Sequence, residues 1–330
     1  MLLFYFSALL PWLALPLAAS QDTLSLLDPQ ALAHPGFESS LQVDAWERDR
    51  WSSLDSSRTL REQGTQYFPD GDTQKGVDMD LWLRWQMSMA QALELDLPWR
   101  FMEFSPYQWG TASTPMRNDP TVQRGDHMGD ITLRWRGAAL WGSAEERRAS
   151  LGMSLVVVAP TGLGPYEAPH PLAASGEGGW AFGGGVSGAE SLGVLRFSQQ
   201  ASGLWRLGYA ADIRPVSPTA GLELPVGSAF VRPGPSLLAG LGMLGLLARD
   251  NGASYWLGTA LRCQAQADWQ VGGQQAGGTG SWGVDLMPEF KAEFGTAFTL
   301  DVGARVPLVL VNLPAPILMF EPCLRLDMGY

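Results

Sequence analysis

The chain is poor in the residues that most catalytic and metal chemistry uses. Of 330 residues, three are histidine and two are cysteine. Cys263 and Cys323 cannot supply a disulfide framework or a four-thiolate metal site. No H-E-x-x-H is present, and no Cys/His cluster has zinc spacing. Charge is also scarce, at 17% of residues against about 25% in soluble domains, which points to a surface that is not wholly aqueous. The net charge of -11 and pI near 4.7 leave nothing to collect a phosphate backbone, so nucleic acid is not an expected partner. After residue 20 no run reaches the roughly 18 to 20 apolar residues of a membrane helix. The longest, Ser236 to Ala248 (SLLAGLGMLGLLA), is too short and carries three glycines.

What is abundant is glycine (39), tryptophan (14) and phenylalanine (13), a composition suited to strands, turns and interfacial aromatic belts. Met1 to Ser20 is apolar and ends in small residues, as a secretory signal does, with cleavage after Ala19 or Ser20. It lacks the usual basic start, and the alternative is an N-terminal membrane anchor. Residues 21–38 then form a periplasmic tail or a plug carrying Leu24, Leu26, Leu27 and Leu32, and residues 39–330 the body of the protein.

The body alternates. Leu81, Leu83, Trp85 and Met87 interleave with Asp80, Trp82, Arg84 and Gln86. Leu257, Leu261 and Cys263 interleave with Trp256, Ala260, Arg262 and Gln264. A period of two is that of a strand with one apolar and one polar face. A soluble sandwich would use strands of about 5 to 6 residues, whereas a transmembrane barrel needs about 9 to 11, apolar side to lipid and polar side to the lumen. The runs are mostly ten or longer, so length decides for an all-β, antiparallel transmembrane β-barrel.

Expected strands are 39–50, 78–89, 91–104, 129–140, 149–160, 178–188, 190–199, 203–213, 219–230, 236–248, 253–270, 281–293, 296–310 and 317–330. That makes fourteen, or twelve where the weakly patterned ones fail. Long connections (51–77, 105–128, 161–177) alternate with short ones (Ala90, 141–148, Ala189), which is the outer-membrane pattern of short periplasmic turns and longer extracellular loops. The last strand carries Leu324, Leu326, Met328 and a terminal Tyr330, the ending that barrel assembly machinery recognises.

With the apolar set against lipid, the lumen receives Arg84, Arg100, Arg134, Arg136, Arg206, Arg262, Arg305 and Arg325. Opposite in sign are Asp80, Glu94, Asp96, Asp130, Asp268, Asp285, Glu289, Glu293, Asp301, Glu321 and Asp327. Mixed charges in a confined lumen pair and hold water. Gly240 to Gly245 matches G-x-G-x-x-G, but without strand–helix alternation it reads as a glycine-rich barrel strand. Cys263 and Cys323 fall on opposite sides of the wall, so no disulfide joins them.

Three stretches carry a resemblance: Gly129-Asp130-Ile131-Thr132-Leu133, Ala159-Pro160-Thr161-Gly162, and Gly176-Glu177-Gly178-Gly179-Trp180 running into Phe182-Gly183-Gly184-Gly185. Their order resembles that of the outer-membrane transporters named after the meta-pathway of phenol degradation, distantly like the long-chain fatty-acid channel. The resemblance covers roughly residues 75–330. It implies a monomeric barrel passing small hydrophobic molecules and assigns no catalytic or ligand residue.

The expected function is passive passage of small hydrophobic solutes across the outer membrane of a diderm bacterium, without a cofactor. Its partners are membrane lipid, the assembly machinery and the solute, which Phe104, Tyr107, Trp109 and Met116 gather at the outer loops. The alternatives are a structural or adhesive surface protein working through its loops, and a lipid-modifying barrel enzyme. For the enzyme the candidate is His127, beside Asp126 in a loop.

Overall fold

The computed structural model describes residues 36–52, 74–88, 90–104, 123–141, 147–164, 175–213, 227–250, 252–276, 280–295, 298–311, 313–316 and 321–329. They form eighteen strands: β1 (Gly36–Ser52), β2 (Gln74–Ser88), β3 (Gln91–Phe104), β4 (Gln123–Met128), β5 (Ile131–Trp141), β6 (Arg147–Ala159), β7 (Ala181–Leu192), β8 (Leu195–Arg206) and β9 (Tyr209–Ile213) come first. Then follow β10 (Gly227–Arg232), β11 (Ser236–Asp250), β12 (Ala253–Gln266), β13 (Trp269–Val271), β14 (Gln274–Ala276), β15 (Ser281–Phe294), β16 (Phe298–Val311), β17 (Leu313–Pro316) and β18 (Glu321–Gly329).

Twelve of these make the wall, each antiparallel to its neighbours in the order β1-β2-β3-β5-β6-β7-β8-β11-β12-β15-β16-β18. The wall is a closed ring, because β1 bonds on both sides: to β2 from Gly36↔Gln86 to Arg48↔Gln74, and to β18 from Glu38↔Gly329 to Asp44↔Cys323. The two short strands β4 and β17 prolong wall positions, pairing β3 and β1 beyond the ends of β5 and β18. The larger count of fourteen is therefore corrected to twelve.

The amphipathy is that of a soluble protein turned inside out. Leu155 and Leu241 are each 60% exposed, while Glu94 is 1% and Asp285 0% exposed. The outward residues of β8 run from Leu195 to Trp205; ten steps of about 3.3 Å, tilted about 40°, span about 25 Å, the height of an outer-membrane apolar band. Aromatics gather at both borders. Near one, Phe37 stacks on Trp85 with ring centroids 6.1 Å apart, and Phe294 meets Tyr255 and Phe298. Near the other, Trp99, Phe101, Trp205 and Trp282 face outward.

The short connections between neighbouring wall strands fall at one rim, joining β2 to β3, β5 to β6, β7 to β8, β11 to β12 and β15 to β16. Gly193 (φ 58), Gly252 (φ 91) and Gly295 (φ 62) make three of these turns. A Cβ at any of them would meet nothing within 4 Å, so it is the left-handed backbone, not space, that asks for glycine. The turn expected at Ala189 moves to Gly193-Val194 for this reason. Alternation continues through Ala189, and only Gly193 adopts the required φ cheaply.

At the opposite rim, four adjacent wall strands continue upward after short breaks. β8 passes through Leu207-Gly208 into β9, and β12 through Ala267-Asp268 into β13; β10 and β14 lead down into β11 and β15. The resulting sheet, β9-β10-β13-β14, buries Ala211, Val231 and Val271 against Tyr209, Ala229 and Trp269. The expected strands 203–213 and 253–270 are thus each divided. The wall strand expected over 219–230 is replaced by β10, with residues 214–226 outside the described ones. The segments 1–20 and 21–35 are also outside them, and β1 begins three residues before the expected start of the barrel.

Candidate functional site: the inner wall and its outer-rim knot

Alternation sends every second side chain into the ring, and register places opposite charges side by side there. Glu38, Arg84, Glu94 and Arg134 occupy directly paired positions on β1, β2, β3 and β5. The ion pairs follow this row: Arg84 NH1 to Glu38 Oε2 at 2.9 Å, Arg84 Nε to Glu94 Oε1 at 2.7 Å, and Arg134 NH1 to Glu94 Oε2 at 3.2 Å. Arg136 adds a third arginine to Glu94 at 2.9 Å, and the Arg134 guanidinium lies 5.0 Å from the centre of the Trp82 ring. Arg100 holds Asp78 in two contacts of 2.9 and 3.2 Å. On the far side, Asp285 accepts from Arg262 at 3.2 Å and forms an ion pair with Arg305 at 3.0 Å. A buried charge is costly unless paired and hydrogen-bonded, and the rows supply ion pairs between neighbouring strands.

One strand of the inner wall, β11, turns no charged side chain inward, and apolar residues flank it. Val156 and Val158 on β6, Ala181 on β7 and Leu204 on β8 pack together. The inward positions of β11 are Leu238, Gly240, Gly242, Leu244 and Leu246. Leu244 and Leu246 then meet Trp256 of β12. β11 is apolar on both faces, so an apolar track runs down the lumen from the loop rim towards the turn rim.

The glycine-rich motifs meet in a knot at the outer end of this sector. Both oxygens of Asp130 accept backbone hydrogen bonds, Oδ1 from Gly162 N at 2.9 Å and Oδ2 from Glu177 N at 2.7 Å. Thr161 Oγ1 accepts from Ile131 N and donates to the Gly129 carbonyl at 2.7 Å, and Ser175 Oγ donates to the Met128 carbonyl at 2.8 Å. Glu177 pairs with Arg206, whose NH1 reaches the Gly234 carbonyl and Ser236 Oγ. A Cβ on Gly176 would collide with the Asp130 carboxylate, so that glycine is fixed by close approach. The knot ties the break between β4 and β5 to the connections β6–β7, β8–β9 and β10–β11.

The expected lumen residues divide as follows. Arg84, Arg134, Arg206, Arg262, Asp285, Glu289 and Asp301 are buried or nearly so on the inner face, with Arg100, Arg136 and Arg305 half-buried beside them. Asp268 leaves the wall: it sits in the β12–β13 connection, where it accepts from Gln275 Nε2 at 3.0 Å and from Gly280 N. Asp130 serves backbone N–H groups and so is a fastener of loops. The side chains of Phe104, Glu321 and Arg325, and all of Tyr107, Trp109, Met116 and Tyr330, lie outside the described residues. Leu324 and Met328 face outward from β18.

His127 is corrected from loop to strand β4, opposite Arg100, and alternation turns its neighbour Asp126 to the other face. Cys263 is a free thiol on the outer face. Glu293, of the expected set, faces inward with Lys291 beside it, and alternation also carries Glu38, Asp78 and Arg196 inward, beyond that set.

The chain is similar in structure to the COG4313 outer membrane channel from Pseudomonas putida F1, at a TM-score of 0.64 and 17% identity, over 94% of this chain and 100% of that one. The transport unit of the autotransporter AIDA-I from Escherichia coli aligns at 0.42 and 8% identity over 94% of each chain. Pseudomonas putida OprB aligns at 0.28 and 8% over 91% and 95%. No family model and no curated protein matches the chain. With its lipid-facing belt, short-turn rim and closed ring, the chain has the fold of an outer-membrane β-barrel and belongs in the outer membrane of a Gram-negative envelope.

Proposed function

We propose that the barrel is a channel for small hydrophobic solutes, which cross by passive diffusion along the apolar track of the inner wall. The observation that carries this reading is the uncharged inner face of β11, continued by Val156, Ala181 and Leu204 on one side and Trp256 on the other. A porin for ions and sugars gains nothing from leucines in its lumen. A solute that leaves water for such a surface gains about 25 cal/mol per Å² of apolar contact, enough to concentrate it without trapping it. The charged rows on the remaining wall are taken up by their own ion pairs and offer an apolar solute little, which leaves the track as its path.

Liposome swelling tests the proposal. Proteoliposomes should admit an apolar solute of modest size faster than a polar solute of equal volume. Equal rates for both, or passage of neither, would overturn it.

A further inference from the structure

The charge cluster at the turn rim is built unlike the rows above it. Arg196 is the first inward residue of β8 and Glu293 the last of β15, and β11 and β12 lie between those strands. Strands that far apart are separated by about 14 Å at the usual spacing. Their side chains nevertheless meet in two contacts, NH1 to Oε1 at 2.5 Å and NH2 to Oε2 at 3.0 Å. The pair lies over the inner faces of β11 and β12 and bridges a quarter of the ring.

Its middle is supported. The Arg196 guanidinium stands 3.7 Å from the centre of the Trp256 ring, and Trp256 Nε1 donates to Glu293 Oε2 at 2.9 Å. Lys291 Nζ lies 3.8 Å from Glu293. Leu244, directly opposite Arg196 in register, is completely buried beneath. Its partner on β12 is Gly258, where a Cβ would collide with Leu244 and the Met243 carbonyl. Each group of the bar is thus held by at least two others. A guanidinium stacked on indole and bidentate to carboxylate has little freedom left to swing.

We propose that Arg196, Trp256 and Glu293 form a fixed bar along one side of the turn-rim mouth, where the apolar track ends, and that this bar narrows the mouth and sets the size limit of the solutes that leave. The inference rests on the channel function proposed above. It assigns a specificity-determining role to residues on the periplasmic side, whereas the loop rim would only admit.

The test is single-channel conductance in planar bilayers, with liposome swelling over a size series of neutral solutes, on wild type, Arg196→Ala and Glu293→Gln. Removal of the guanidinium should raise conductance by at least about twofold and shift the size limit upward. Glu293→Gln keeps the volume but loses the ionic grip, and should give a smaller rise. If wild type conducts and both variants match it, with the wild-type heat-dependent shift in gel mobility showing intact barrels, the bar is not the constriction. A closed wild type opened by Arg196→Ala would support the bar in its strongest form. If wild type and both variants pass nothing, the channel function itself fails. Should Arg196→Ala not fold, Glu293→Gln decides by the same readout.

Discussion

Asp130 accepts a hydrogen bond from the backbone N–H of Glu177 at 2.7 Å, although the two residues are 47 apart in sequence. The second carboxylate oxygen is occupied by Gly162 N, so one side chain clamps both ends of the β6–β7 connection. Asp130→Ala would leave two N–H groups without acceptors, at about 1 to 3 kcal/mol each where they are shielded from water. The barrel below should persist. Limited proteolysis is expected to cut the 160–180 connection much faster in the variant, with the heat-dependent gel shift retained.

Glu94 anchors three arginines, and its loss is expected to be expensive. In Glu94→Gln, Arg84, Arg134 and Arg136 stay inside with no full counter-charge. Breaking a buried ion pair from one side typically costs about 3 to 5 kcal/mol. Urea unfolding in lipid vesicles should show a markedly lower midpoint, whereas Arg136→Gln, at the half-exposed edge of the cluster, should show a small loss.

Leu241 and Leu238 are three positions apart on β11 and face different media. Leu241→Arg puts a charge on the lipid side, where the cost is about 2 to 4 kcal/mol near the midplane. Folding yield in vesicles should fall. Leu238→Asn turns into the lumen and should fold normally.

That same Leu238→Asn variant tests the track. Loss of about 1.4 kcal/mol of apolar contact would weaken solute adsorption about tenfold. Swelling rates for apolar solutes should drop while those for polar solutes hold steady. A uniform change for both kinds would argue against the track.

Much of this architecture is legible in the sequence because a strand in a wall has only two faces. Parity alone sends Arg84, Glu94 and Arg134 inward and Leu133, Leu155 and Leu241 outward, and run length selects the membrane over a sandwich. What parity cannot supply is partnership across the lumen. Nothing about positions 196 and 293 separately announces that they meet. Parity also runs on through Leu207-Gly208 and Ala267-Asp268, where the chain leaves the wall for a second sheet. Asp130 shows the same limit: it was assigned to the polar face, while its two oxygens are taken up by backbone from a distant loop.

The ring is completed by its most distant members, β1 and β18. Apart from β17, which lengthens the same seam on β1, every other wall contact joins strands much nearer in sequence, so those can form while the chain is still incomplete. Until this last zipper shuts, two rows of bare N–H and C=O groups would confront hydrocarbon, at several kcal/mol apiece. Insertion of a half-built sheet is therefore prohibitive. The strands must either curl before they enter the bilayer or be escorted across it with both edges covered, and weakening the β1–β18 register should slow assembly more than it loosens the finished cylinder.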